Sequence, residues 1–72
     1  MPTPSVGRIV HYLSRGSQDH VYEPELRAAI ITNVNSFDNV DLCVLNPSGL
    51  FFPLFCDQGS LPGQWQWPER VD

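Results

Sequence analysis

Residues 40–45 constrain the fold most. Val40, Leu42 and Val44 fall on one face of an extended segment and Asp41, Cys43 and Leu45 on the other. The run is closed on both sides by turn composition, Asn35-Ser36-Phe37-Asp38-Asn39 before it and Asn46-Pro47-Ser48-Gly49 after it. Period two between two turns predicts a strand, and the rest of the chain repeats the pattern in weaker form. Residues 6–13 predict a first strand after a proline-containing lead over residues 1–5. Ile9, His11 and Leu13 share one face of it and Arg8, Val10 and Tyr12 the other, a mixture that suits a thin barrel or an interface strand. Residues 14–25 are polar, with Gly16 and Pro24 as punctuation, and predict a long hairpin loop carrying a solvated His20.

The acids around Pro24 would suit the first turn of a helix, but Ile30-Ile31-Thr32 is β-branched and moves residues 27–34 to a second strand. Residues 50–55 predict a fourth strand in which Pro53 forces an edge position or a bulge. A glycine- and proline-bearing loop over residues 57–63 leads to a short terminal strand with Trp65 and Trp67. Five short strands without a helix predict one all-β domain over residues 1–72, either a small five-stranded twisted sheet or an SH3-like half-open barrel.

Seventy-two residues leave too little interior for a deep cleft within one copy, so a sizeable ligand has to bind on a face or between copies. A chain this short usually adds disulfides, a metal or oligomerisation to its core, and a homo-oligomer is the expectation here. Cys43 and Cys56 read as buried thiols rather than a bridge, and neither they nor His11 and His20 have metal-ligand spacing. No metal or cofactor is expected. The formal charge of −4, with four arginines and no lysine, argues against a nucleic-acid polymer as partner but leaves room for a small anion held by placed arginines. The first residues lack the charged and apolar regions of a signal peptide, and no apolar run is long enough to cross a bilayer, so no membrane partner is expected.

The last stretch, Pro62-Gly63-Gln64-Trp65-Gln66-Trp67-Pro68-Glu69-Arg70, puts two indoles on one face of an extended segment that Pro68 ends. Two readings stand side by side. The indoles close the core of a small domain, or they form an aromatic wall for a planar ligand whose polar edge meets Arg70 or Glu69. Residues 50–55, Leu-Phe-Phe-Pro-Leu-Phe, are apolar on both faces and are therefore covered on both or meet another copy. Catalysis has weak footing. Glu23 and Glu25 sit in a polar loop, both cysteines sit in apolar β-rich runs, and the glycines are dispersed as turn residues, so a non-enzymatic protein is expected.

Val6-Gly7-Arg8-Ile9-Val10-His11-Tyr12, Ala28-Ala29-Ile30-Ile31-Thr32, Leu45-Asn46-Pro47-Ser48-Gly49-Leu50-Phe51-Phe52 and the tryptophan-bearing ending together resemble a family of short proteins of tailed phages and prophages. The resemblance covers almost the whole chain; the family's usual residue between the tryptophans is histidine, where this chain has Gln66. It implies a phage-encoded accessory β protein acting in the host bacterial cytoplasm. Small acidic phage proteins of this kind resemble inhibitors of antiviral defence, among them oligomeric sponges that sequester a cyclic nucleotide or an ADP-ribose-derived signal. For that role the candidate ligand-binding residues are Trp65, Trp67, Arg8, Arg70, His11, Arg27 and Phe52. The alternative is a protein-interaction module, a minor assembly component or a direct inhibitor of a host protein, with the aromatics as a hot spot. A sponge needs arginines and aromatics converging on one concave site; a module needs a broad, flatter apolar patch.

Overall fold

The computed structural model describes residues 3–15, 24–47 and 49–68. Six strands occur among them: β1 (Ile9–Leu13), β2 (Leu26–Val34), β3 (Asn39–Asn46), β4 (Gly49–Phe51), β5 (Cys56–Asp57) and β6 (Trp65–Gln66). They form a single sheet in the order β4-β3-β2-β1-β6, with β5 also paired to β3. All five ladders are antiparallel. The chain is all-β, with no helix among the described residues.

The sheet curls without closing into a barrel. Its curl starts at a bulge in β2, where Ile31 faces Leu42 but Asn33 faces Asp41, leaving Thr32 as the extra residue. The two ends then approach each other. Gln58, just after β5, forms one isolated parallel bridge to Trp65, and the Gly59 N–H donates to the Trp65 carbonyl at 2.9 Å. Gly63 makes the turn into β6 possible: its φ of +87° is left-handed, and an added Cβ would stand 2.9 Å from the Arg15 guanidinium.

The concave side holds the core. Val10, Tyr12, Ala29, Ile31, Val40, Leu42, Val44, Cys56 and Trp65 are buried and form one cluster, with Val34 and Trp67 packed against it. The registers explain the set, because Val10 faces Ala29, Ala29 faces Val44 and Ile31 faces Leu42, so alternate residues of three strands converge. The strand expected over residues 6–13 begins, as a strand, at Ile9, although the Gly7 N–H already donates to the Ile31 carbonyl at 2.8 Å.

The strand expected over residues 50–55 is broken. β4 ends at Phe51, Pro53 interrupts the ladder while its carbonyl accepts from the Leu42 N–H at 3.1 Å, and pairing resumes in β5. A proline supplies no ladder N–H, so β4 and β5 are two pieces of one edge strand along β3. Most of the long loop expected over residues 14–25, His20 and Glu23 included, lies outside the described residues; its two ends are tied by the Ser14 N–H to the Glu25 carbonyl at 2.9 Å. Cys43 and Cys56 are free thiols, and desolvation followed by the charge of Asp41 pushes Cys56 up to about 11.

Candidate functional site

Two places concentrate the aromatic side chains. The first is the β1–β6 end. Trp65 is 0 % exposed, wedged where the sheet ends meet, and its Nε1–H donates to the Asp38 carbonyl at 3.1 Å. It is a core residue with no face for a ligand. Trp67 lies on the same side, as the period-two spacing predicts, and stands at 81° to Trp65 with ring centroids 5.3 Å apart. The Arg8 guanidinium covers the Trp67 ring at 5.3 Å, a cation–π contact of about 0.5–1 kcal/mol at an open site.

The other expected site residues do not join them. His11 lies between Gln66 and Ala28 on the opposite face of the sheet. Arg27 shares the core-side row of Tyr12 and Trp65 but stands two strands from Trp65, beyond Tyr12, and its Nη2 pairs with Glu25 Oε2 at 3.1 Å. Phe52 sits at the far edge beyond β4, four strands from β6 in the sheet order. Arg70 lies outside the described residues. Of the expected ligand set, then, the structure brings together Trp65, Trp67 and Arg8, with Trp65 buried beneath the other two.

The second place is that far edge. Leu50, Phe51, Phe52, Leu54 and Phe55 are 60, 48, 62, 63 and 68 % exposed, and no charged side chain occurs from Gly49 to Cys56. Phe51 reaches the core edge-on to Tyr12, centroids 6.1 Å apart. Phe55 has φ +54°, the one non-glycine residue with positive φ among the described residues and an uncommon state for a bulky side chain. Asp41 holds it there: Oδ1 accepts the Phe55 N–H at 2.8 Å and the Asn35 side-chain amide at 2.9 Å, and Oδ2 accepts from Asn33 at 3.3 Å. The Phe55 bond is the largest cause holding the Asp41 carboxyl below the ordinary carboxylate range, with the two asparagines adding to it and desolvation opposing. Sequence reading placed Asp41 on a face without a role. The sign of its period-two position was legible, but a bond to a backbone fourteen residues away was not.

A depressed carboxyl makes the loop sensitive to acid. Asp41 contributes its stabilisation in full above the ordinary aspartate value and loses it as pH falls through the lowered one. The Phe55 amide is therefore expected to lose hydrogen-exchange protection only as pH falls beneath the ordinary aspartate range, and Asp41→Asn to remove that acid dependence. An unchanged profile in the variant would show that another group controls the loop.

Among the described residues no three His, Cys, Asp or Glu side chains gather as a metal site requires, and no helix is long and apolar enough to cross a membrane. Comparison of the chain with protein-family models, with curated proteins and with solved structures found no match.

Proposed function

We propose that this chain is a non-enzymatic interaction module, an accessory protein of the kind its resemblance to short phage proteins implies, working through the apolar edge at residues 49–55. One observation carries the reading: five large apolar side chains within six residues stand in solvent without a charge among them. Isolated exposed leucines need no explanation, but a contiguous uncharged patch marks a surface that meets another surface. An assembly component and a cap on a bacterial protein both fit such an edge.

Sequestration of a nucleotide signal is the second reading, favoured by the Arg8–Trp67 pair. It has the weaker support, because Trp65 is buried, Arg27 is paired with Glu25, His11 is on the other face of the sheet and Phe52 follows β4 at the opposite end of the strand order. Thermal melting with millimolar cyclic dinucleotides and ADP-ribose derivatives separates the two. A ligand present at a hundred times its Kd stabilises by about 2.7 kcal/mol, which for a domain this small is a rise of roughly 10–20 °C. No rise is expected. A rise that Trp67→Ala or Arg8→Ala abolishes would replace the module reading with the sponge.

A further inference from the structure

Resting on that reading, we infer that the edge is occupied by a second copy of this chain, joined across a two-fold axis at Leu50 so that β4 pairs antiparallel with β4 of the other copy. β4 is the last strand in the sheet order, paired on one side to β3. Leu50 stands opposite Leu45 and Phe51 opposite Val44, so the strand shows apolar groups on both sides of the sheet. Continuing the sheet satisfies the free backbone edge of β4 and sets a cross-strand neighbour beside its side chains on both sides, which docking onto a flat surface does on one at most.

The register is self-complementary. An axis at Leu50 sets Leu50 against itself and Phe51 against Gly49 of the second copy, twice. Nothing lies within 4 Å of where a Cβ on Gly49 would stand, so the space over the glycine is open to a ring. A bare glycine two residues from an aromatic in an edge strand is a shape that fits its own rotated image.

Charge and area agree with this occupant. In a chain of net charge −4 the acids oppose self-association, yet none lies between Gly49 and Cys56. At about 200 Å² per side chain, the exposed parts of the five apolar residues come to at most roughly 600 Å² per copy, or about 1,200 Å² for two, which reaches the lower end of stable interfaces only when Phe52, Leu54 and Phe55, beyond the paired strand, also close against the second copy. Along residues 49–56 a hetero-partner chosen by charge has nothing to read, and the carboxylate beneath them, Asp41, is taken up by the Phe55 N–H, Asn35 and Asn33.

Light scattering of the full chain at micromolar concentration is expected to give a dimer. In a mixed sample with one isotope-labelled copy, Phe51 ring protons should show intermolecular contacts to the Gly49 α-protons. Gly49→Glu is the decisive variant. The monomer has room for the side chain and no left-handed φ at that position, so its circular dichroism should be unchanged. The dimer would bury two carboxylates under the phenylalanines and weaken by at least about a hundredfold. A strictly monomeric wild type, or a dimer that Gly49→Glu leaves intact, overturns the inference and gives the edge to a different protein. A nucleotide shift dependent on Trp67 instead overturns the module reading beneath it, so the two failures are distinguishable.

Discussion

Trp65→Ala is expected to leave the domain at the margin of folding, whereas Trp67→Ala, two residues away, is not. Trp65 is completely buried and bridges the sheet ends, through backbone contacts to Gln58 and Gly59 and through its indole N–H to Asp38. Truncating a buried aromatic costs about 3–5 kcal/mol, and a domain of this length has roughly 4–10 kcal/mol in all. The orphaned Asp38 carbonyl adds to the loss unless water reaches it. Trp67 is only partly buried, and its removal gives up packing against the core and the Arg8 contact, a cost of about 1–2 kcal/mol. Urea melts followed by circular dichroism measure both. Equal costs would mean that the terminal segment closes the core as a unit rather than through one indole.

The second large effect separates adjacent isoleucines. Ile31→Ala is expected to cost about 2–5 kcal/mol, because Ile31 is fully buried opposite Leu42. Ile30→Ala should cost about 1 kcal/mol or less, since Ile30 faces Cys43 and Ile9 on the convex side, where Ile9 is 53 % exposed. The same urea melts decide it. A large cost at Ile30 would show that the convex face is covered in solution, and the contrast between the two positions tests the direction of curl.

These two positions show where sequence reasoning stopped. The alternation at residues 40–45 was legible because turns on both sides fix the phase, and Val40, Leu42 and Val44 are the buried set. In β2 the run Ala28-Ala29-Ile30-Ile31 is apolar in both phases, so which isoleucine faces inward depends on pairing with Cys43 or Leu42 across the ladder. The bulge at Thr32 is equally hidden, since an unpaired residue has no side-chain signature of its own. Pro53 announced an edge position, which β4 has, but the sequence reading kept residues 50–55 as one strand; that it would break there and resume at Cys56 rested on the Asp41 and Pro53 contacts. For the site, the tryptophan spacing correctly put both indoles on one side, but burial of Trp65, the placing of His11 on the other face and the separation of Phe52 along the sheet order follow from topology.

At Phe55 the backbone and the exposed side chain pull in different directions. With φ +54°, the backbone there is one that glycine or asparagine adopts at little cost, and the side chain it carries is 68 % exposed. Replacing it with either residue would ease the backbone and remove apolar surface from water, an improvement on both counts for an isolated monomer. A chain drifting under pressure for stability alone has that exchange within reach. Phe55→Gly and Phe55→Asn are therefore expected to raise the melting temperature of the monomer, and to weaken self-association if the apolar edge is the surface that meets the second copy.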